Sequence, residues 1–307
     1  MDYLKIFAPA TVANVSCGFD SLGFAVDAIG DEMTFTKTSE KGVKITNITG
    51  ADLPYDVDKN AASAVIKKML SEAKADFGIA LTIHKGFSPG SGLGSSAASA
   101  AGAAFGVNQF LTKRYSLLEL TKFAMFGEEV ACGSAIADNV AAAIYGGFVL
   151  VRSYEPLEVI KLPVPEALRV VAIHPQIAIK TKDARAVLPT EIALQDAVTQ
   201  WANVGGLVTS LFTNDYDLLS NSLVDVIVEP FRKGLIPFFD EVKTNALNAG
   251  ALGAGISGSG PTIFALCKGE KSAKDVYKAI ESTYKKTGIG FEMFISKINP
   301  EGMKIIK

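Results

Sequence analysis

The fold is decided by the stretch Ser88-Pro-Gly-Ser-Gly-Leu-Gly-Ser-Ser-Ala-Ala-Ser99. An apolar run that predicts a strand, residues 79–83, precedes it, and a run of small residues, 97–105, follows it as a predicted helix. Glycine and serine leave the backbone N–H groups of this loop unshielded. The start of a helix adds unpaired N–H donors and about half a positive charge. We therefore expect the loop to bind anionic oxygens.

Two familiar glycine-rich phosphate patterns do not match this loop. A Walker A loop carries Lys followed by Ser or Thr, whereas Ser95 and Ser96 stand at those positions here. The dinucleotide pattern G-x-G-x-x-G fails because Gly94 follows Gly92 too closely. What remains is a loop whose serine hydroxyls could bond a phosphate, or a Mg²⁺ held on it. On these residues alone, a simple Gly/Ser turn without a ligand stays an open alternative.

Length and composition limit the classes of function. A chain of 307 residues exceeds a usual single domain, so two domains that share one cleft are expected. With 49% hydrophobic and 20% charged residues, the chain can bury a large core. A net charge of −2 and the lack of a dense Lys/Arg block argue against a nucleic-acid or membrane surface. Small-molecule partners are favoured by elimination.

The cysteines and the start of the chain indicate the compartment. Cys17, Cys132 and Cys267 are scattered and form no C-x-x-C pair, so neither a disulfide framework nor a zinc site is expected. Residues 1–5 lack the pattern of a leader, and the longest weakly polar run, residues 93–107, is interrupted by glycine. We therefore expect a reducing, cytoplasmic location and no membrane span.

The first sixty residues predict an opening antiparallel sheet, because short apolar and polar alternations cover residues 3–7, 33–38 and 43–48. A loop over residues 8–23 lies between the first two strands and contains one amide, Asn14, and one carboxylate, Asp20. This mixture of small and polar residues is typical of a loop that lines a pocket. Asn and Asp are also ordinary turn formers, and that alternative stays open.

Two predicted helices carry further polar candidates. A helix over residues 60–73 has Asn60 as its N-cap, and Asn60 contacts a nucleotide only if the glycine loop lies close. A helix over residues 116–130 begins with the capping-box pair Ser116 and Glu119. It ends with Glu128 and Glu129. Glu128 follows an apolar face, so its carboxylate either turns into a cleft or faces water.

The second half of the chain repeats the alternation of strands and helices. A second glycine-rich segment, residues 255–260, precedes a predicted strand. The order suits a split βαβ sandwich, with residues 154–165 as the seam between two domains. Two glycine loops in different halves suggest that both domains face one site.

Taken together, these segments resemble the GHMP small-molecule kinases, almost from end to end. The motifs that carry the resemblance are Ala8-Pro-Ala-x-x-Ala-Asn14 with Gly18-Phe-Asp20, Ser91-Gly-Leu-Gly-Ser-Ser96-Ala, Ala137-Asp-Asn-Val and Gly255-Ile-Ser-Gly-Ser-Gly-Pro261. The resemblance implies an α+β fold of two domains. An ATP-binding domain like ribosomal S5 domain 2 would span residues 1–158, and a ferredoxin-like domain would span residues 159–307.

The resemblance also implies ATP as co-substrate, with its phosphates on the glycine loop. Ser96 and Glu128 would flank a Mg²⁺, which prefers a few hard oxygens. The residues implied to contact the nucleotide are Asn60, Pro89, Gly90, Ser91, Gly92, Leu93, Gly94, Ser95, Ser96, Ala97, Ser99 and Gly258.

Within the superfamily, the chain looks most similar to the branch that phosphorylates homoserine on the way to threonine. Thr181-Lys-Asp-Ala-Arg185 and Glu229-Pro-Phe-Arg232 are the stretches that indicate this branch. The resemblance implies that Arg185 and Arg232 clamp the carboxylate of the amino acid, and that Thr181 contacts it too. Planar guanidinium groups match a carboxylate in a two-pronged way.

The remaining acceptor contacts are implied in the same way. Asp20, assisted by Asp138, would hold the ammonium group, while Asn14 and Asn139 would orient the hydroxyl toward the γ-phosphate. Phosphoryl transfer depends mainly on alignment and charge stabilisation, so a strong general base is not required. Asp138 is the candidate if a base exists. The oligomeric state stays open, with a homodimer as the candidate.

One position departs from the family pattern. The family reads G-S-x-H-x-D-N, whereas this chain has Gly133-Ser-Ala-Ile136-Ala-Asp-Asn139. Ile136 can neither donate nor accept a side-chain hydrogen bond. Weaker acceptor binding, a different hydroxylated acceptor, or a member that binds nucleotide or metabolite without turnover all stay open.

Overall fold

The computed structural model describes residues 2–179 and 181–307 of the chain. Met1, which belongs to the predicted leader-free start, lies outside them. The elements in chain order are β1 Tyr3–Ala13, β2 Leu22–Thr38, β3 Gly42–Thr49, α1 Ala61–Glu72, β4 Gly78–His84, α2 Ser95–Asn108, α3 Leu117–Cys132, α4 Ala137–Tyr145, β5 Phe148–Tyr154, β6 Leu157–Leu162, β7 Leu168–Pro175, α5 Thr181–Ala186, α6 Leu194–Thr213, α7 Tyr216–Ser222, α8 Glu229–Arg232, α9 Phe239–Asn248, β8 Ala251–Ile256, β9 Ile263–Lys268, α10 Gly269–Lys285, β10 Phe291–Lys297 and β11 Lys304–Ile305.

Two sheets organise these elements. The first contains seven strands in the order β11-β1-β2-β4-β3, and β5 pairs with β2 and carries β6. The second contains four strands in the order β10-β7-β9-β8, all antiparallel. With α9 before β8 and α10 after β9, this is the order of a ferredoxin-like unit, as the sequence predicts.

The two sheets share one core. Along β9, side chains alternate between the two faces of the sheet. Phe264 packs toward the first sheet, where its ring lies 6.1 Å from that of Phe24. Ile263 and Ala265 pack instead with Val276 and other residues of α9 and α10 on the opposite face. Both faces of the second sheet are therefore buried, which fixes its position against the first.

Helix α2 lies against the first sheet at very short range because its inner face is made of small residues. A Cβ on Gly102 would come within 2.5 Å of Met33 Sδ, and one on Gly106 within 2.3 Å of the Phe35 ring. Glycine therefore permits a helix–sheet approach that no larger residue allows. This contact fixes the distance between α2 and the first sheet. It thereby also fixes the position of the glycine loop that precedes α2.

The local signals of the helix starts are confirmed. Asn60 Oδ1 accepts hydrogen bonds from the N–H groups of Ala62 and Ser63 at the start of α1. Ser116 and Glu119 form the capping box of α3. No helix within residues 2–179 and 181–307 is long and apolar enough to cross a membrane.

Several sequence expectations about the strands are wrong. The opening sheet is not wholly antiparallel, because β3 pairs parallel to β4 at the edge. The proposed loop over residues 8–23 is shorter than expected, since β1 runs to Ala13 and β2 begins at Leu22, which leaves residues 14–21 as the loop. The proposed seam over residues 154–165 contains β6, which pairs with β5 in the first sheet.

The proposed domain boundary after residue 158 falls inside β6, so it would divide a strand of the first sheet. A boundary between Leu162 and Leu168 keeps β6 with the first sheet and β7 with the second. The end of the chain then returns to the first sheet, where β11 pairs with β1. The position of the boundary remains a proposal, now based on the sheets.

We predict that Gly106→Ala destabilises the protein by about 1–3 kcal/mol, the usual cost of overpacking a core. Gly205→Ala is the matched control, because a Cβ there meets nothing within 4 Å on another helix, α6. It should be neutral or stabilising by up to about 1 kcal/mol. Urea unfolding measures both. Equal effects of the two substitutions would contradict the close packing of α2.

Candidate active site

A cleft of about 320 Å³ lies where the two sheets meet and gathers polar groups from both halves of the chain. Its walls come from the turn after β1, the glycine loop before α2, the end of α3, the start of α4, helices α5 and α8, and the turn between β8 and β9. The predicted site residues that line it are Asn14, Asp20, Pro89, Gly90, Gly92, Gly94, Ser95, Ser96, Glu128, Asp138, Asn139, Thr181, Arg185, Arg232 and Gly258.

The first glycine loop, residues 88–94, supplies backbone donors. Gly90, Gly92 and Gly94 have φ values of 74°, 82° and 70°, a region in which side chains are strained. Gly94 is the N-cap of α2 and offers no side-chain cap, so the first N–H groups of the helix stay available to a ligand. A Cβ on Gly94 would lie 2.2 Å from Thr11 Oγ1. This is the arrangement of an anion site at a helix start.

The second glycine loop, residues 255–260, and the residues that follow it pack directly on the first loop. Ser257 Oγ donates to the carbonyl of Gly92 at 2.6 Å, and Thr262 Oγ1 donates to that of Ser91 at 2.6 Å. In a trans peptide the C=O and the following N–H point in opposite directions. Because the Ser91 carbonyl faces Thr262, the N–H of Gly92 faces away from the second loop.

The turn that follows β1 holds Asn14 in a strained backbone. Asn14, Val15 and Ser16 have φ values of 71°, 43° and 62°, three successive non-glycine residues in the left-handed region. Such positions are costly, most of all for β-branched valine. Asn14 Nδ2 donates to the Gly258 carbonyl at 2.8 Å, and its Oδ1 accepts from the Asp20 N–H at 3.1 Å. Asn14 thereby joins its own turn to the second glycine loop.

The start of α4 places a carboxylate and an amide side by side. Asn139 Oδ1 accepts from Thr11 Oγ1 at 2.7 Å, which fixes the orientation of the amide. Asp138 Oδ1 accepts the backbone N–H of Asn139 at 2.7 Å. Burial, and next the charge of Asp20, raise the pKa of Asp138 to about 7. Near neutral pH this carboxylate can therefore both bind and release a proton.

Two arginines face the acidic side of the cleft. Arg185 Nη2 donates to both carboxylate oxygens of Asp20, at 2.9 and 3.0 Å. Arg232 is buried, donates from Nε to the Ala184 carbonyl at 2.9 Å and from Nη1 to that of Gly258 at 3.0 Å. The Phe19 ring lies 5.4 Å from the first guanidinium and 5.0 Å from the second, within cation–π range of both.

Glu128 reaches the cleft from α3, so the first of the two orientations considered from sequence is confirmed. Burial raises its pKa to about 7. Its Oε1 is buried without a hydrogen-bond partner, as is Nε of Arg185. Unpaired buried atoms of this kind are costly, and a bound ligand can satisfy them.

Five predicted nucleotide contacts do not line the cleft and have other roles. Asn60 caps α1, while Leu93 and Ala97 are buried in the core. Ser91 Oγ accepts from the Leu93 N–H within the loop. Ser99 Oγ accepts from Lys85 Nζ at 3.0 Å.

Sequence reasoning missed several supporting residues. Lys85 pairs with Asp31 in the core and donates to the Ser95 carbonyl at 2.8 Å, so a buried ion pair holds the first turn of α2. The Tyr154 hydroxyl donates to the Asp20 carbonyl at 2.8 Å and accepts from the Ala137 N–H. Phe19 stands at a specified position of the quoted Gly18-Phe-Asp20 motif, a signal that could have identified it, whereas Thr11 occupies an unspecified position of its motif.

Comparisons with known proteins agree with this geometry. The family models for the N-terminal and C-terminal domains of GHMP kinases match residues 60–147 and 207–286. The chain belongs to the GHMP kinases. A homoserine kinase of Chlorobium phaeovibrioides is 46% identical with 100% of both chains covered, and one of Methanococcus maripaludis is 41% identical over 94% of this chain and 98% of its own. These full-length relatives place the chain in the homoserine kinase family.

Solved structures extend the comparison. The crystal structure of homoserine kinase from Cytophaga hutchinsonii is 52% identical, with a TM-score of 0.96 and coverage of 100% of this chain and 98% of that one. A mevalonate kinase from L. major, in complex with R-mevalonate, has a TM-score of 0.72 at 16% identity, covering 96% of each chain, and shares the fold.

We predict that Glu128→Gln raises the melting temperature at pH 8. The folded carboxyl has a pKa near 7 against 4.5 for the free group, so between these values the folded state binds more protons. The free energy of unfolding therefore falls as pH rises through about 7, by at most about 3 kcal/mol from this group. Glutamine has no proton to release in this pH range, so the variant does not undergo this decrease in the free energy of unfolding.

Glu129→Gln is the control, because Glu129 is adjacent on α3 and exposed. Thermal unfolding of the three proteins at pH 5 and pH 8 is the measurement. A gain confined to Glu128→Gln and to pH 8 is expected. A destabilised Glu128→Gln at pH 8 would show that the carboxylate is stabilised in the folded protein.

Proposed function

We propose that this chain transfers the γ-phosphoryl group of ATP to the side-chain hydroxyl of homoserine. One observation carries the proposal: a single cleft has a backbone anion site on one wall and opposed fixed charges, Asp20 against Arg185 and Arg232, on another. The anion site suits a polyphosphate. The opposed charges suit a small zwitterion.

At the nucleotide end, the first glycine loop and the start of α2 would hold the phosphates through backbone N–H groups. The Ser96 hydroxyl and the unpartnered Glu128 Oε1 fit a Mg²⁺, which takes one or two carboxylates together with phosphate oxygens. No cluster of three or more His, Cys, Asp or Glu side chains occurs among the described residues, so the phosphates would supply the other ligands. When bound, the cation neutralises charge on the phosphates.

At the acceptor end, Arg185 and Arg232 would bind the carboxylate of homoserine, and Asp20 would bind its ammonium group. Asp20 and Arg185 pair with each other in the free protein, each about one-third exposed. A zwitterion can replace this single pair by two, since its carboxylate meets the arginine and its ammonium meets the aspartate. Thr181, which also lines the cleft, would add a hydroxyl contact.

The reacting hydroxyl would be oriented by Asn14 and Asn139, whose amides are fixed by their partners Gly258 and Thr11. Alignment is the main requirement of a loose phosphoryl-transfer transition state. Asp138 is the group proposed to accept the hydroxyl proton, because a carboxyl with a pKa near 7 can act as a base at neutral pH.

Ile136 keeps two alternatives open, because it lines the cleft where the family pattern has His. One is a different hydroxylated acceptor, and the other is binding without turnover. An assay of ADP release over homoserine, related hydroxy acids and uncharged alcohols separates these from the proposal. ATP binding with no ADP release would favour the second alternative. Cytoplasmic location and a homodimer stay predictions.

Arg232→Ala is expected to raise the KM for homoserine by about ten- to a hundredfold, the worth of a charge-assisted hydrogen bond. The KM for ATP should change little. Lys233→Ala is the matched control, because Lys233 is next in sequence but pairs with Asp240 at the surface. An unchanged homoserine KM in a folded Arg232→Ala protein would remove the carboxylate clamp.

Ile136→His is expected to improve kcat/KM for homoserine by about two- to tenfold, the worth of one restored hydrogen bond. Ile136→Leu is the control for a change of shape without polarity. Steady-state kinetics with homoserine varied at saturating ATP measure the difference. If the His and Leu variants behave alike, position 136 is not an acceptor contact in this chain.

A further inference from the structure

A second, much smaller cavity lies behind the wall of the cleft. It holds about 10 Å³, close to the minimum of about 10–15 Å³ that one water molecule requires. Its lining includes the polar side chains of Asn14, Ser16, Asp225, Glu229 and Arg232. Asn14 and Arg232 also line the cleft, so each forms part of the partition between the two spaces.

Two polar atoms without partners belong to residues that line this cavity. Ser16 Oγ and Glu229 Oε2 are both buried and have no hydrogen-bond partner, and Ser16 is only 3% exposed. Glu229 is half satisfied, because Lys243 Nζ donates to its other oxygen at 2.5 Å. Burial also raises the pKa of Glu229. Buried polar atoms left in this state usually bind an internal water.

The position of Gly255 shows that these two atoms approach one point. A Cβ built on Gly255 would lie 3.5 Å from Ser16 Oγ and 3.5 Å from Glu229 Oε2, with the Phe264 ring at 3.4 Å. Both atoms therefore lie around the same small space on the inner side of β8.

We propose that one ordered water molecule occupies this cavity and joins Ser16 to Glu229. The water accepts a hydrogen bond from the Ser16 hydroxyl and donates one to Glu229 Oε2. A hydroxyl and an ionised carboxylate are the complementary partners that such a bridge needs. Asn14 and Arg232 also line the cavity.

The bridge would fasten together the two parts of the acceptor site. Ser16 ends the strained left-handed turn that begins at Asn14, and Glu229 is the first residue of α8, whose last residue is Arg232. Asp225 already holds the start of α8 by accepting the Val228 and Glu229 N–H groups at 2.9 Å. The water adds a link from this helix to the turn. Ser16 and Glu229 are therefore positioning residues.

A crystal structure of the unmodified protein at high resolution is the first test. We expect an electron-density peak within hydrogen-bond distance of both Ser16 Oγ and Glu229 Oε2. An empty cavity would overturn the proposal, and so would a metal ion identified by its anomalous signal. This test does not depend on the proposed function, because it needs no acceptor.

Gly255→Ala is the second test, since its methyl group would lie 3.5 Å from both unpaired oxygens and compete with a water between them without removing a polar group. Ser16→Ala removes one partner of the water and leaves the space. Both should raise the KM for homoserine by about three- to tenfold, with the KM for ATP changed less than about twofold. Gly205→Ala, on the exposed face of α6, is the control.

The KM measurements rest on the proposed function, so they are interpreted together with crystal structures of both variants. If the water is lost from Gly255→Ala and the homoserine KM is unchanged, the water fills space without positioning the site. If either variant fails to fold, the peak in the unmodified protein still decides occupancy. Absence of homoserine turnover in every protein, with the water present, would count against the proposed function alone.

Discussion

The contact between the two glycine loops is the constraint on which the site depends. Serine and threonine hydroxyls beside the second loop bond the carbonyls of Ser91 and Gly92, at 2.6 Å each. These bonds join segments more than 160 residues apart and turn the Gly92 N–H away from the second loop. A side chain at Gly92 would meet the Ser257 and Gly260 carbonyls at 2.7 Å. The second sheet and its turn therefore shape the glycine loop that is proposed to bind the phosphates.

The groups that form the cleft lower the stability of the folded protein. Glu128 and Asp138 are buried carboxyls whose pKa values rise to about 7, and Arg232 is a buried guanidinium whose pKa burial lowers. Three successive residues from Asn14 adopt left-handed backbone. Such strain and desolvation are typical of functional sites, where they persist because the surrounding structure holds them in place. Here the surrounding structure includes the buried Lys85–Asp31 pair and the close packing of α2 on the sheet.

The sequence could predict what depends on local chemistry. The caps of α1 and α3 and the glycine loop before α2 follow from residue type and spacing, and the ferredoxin-like unit follows from the family resemblance. The motif resemblance brought Asp20, Arg185 and Arg232 to one site although they are distant in sequence. The pairing partners of the strands were harder to predict, because tertiary packing overrides the local sequence pattern. β3 pairs in parallel with β4, and β6 extends the first sheet. Neither Lys85 nor Tyr154 belongs to a motif, so their roles required coordinates.

The pairing of Asp20 with Arg185 bears on which acceptors the cleft can accept. An uncharged alcohol would leave this pair intact and gain little from either charge. A simple carboxylic acid would take Arg185 from Asp20 and leave the aspartate unpaired, which is costly in a partly desolvated site. Only a molecule with both an anionic and a cationic group can separate the pair and satisfy both partners. If Asp20 and Arg185 bind the acceptor as proposed, selectivity for a zwitterion would arise from the penalty imposed on other molecules as much as from attraction. The Phe19 ring lies within cation–π range of both guanidinium groups and so holds the two arginines close to each other.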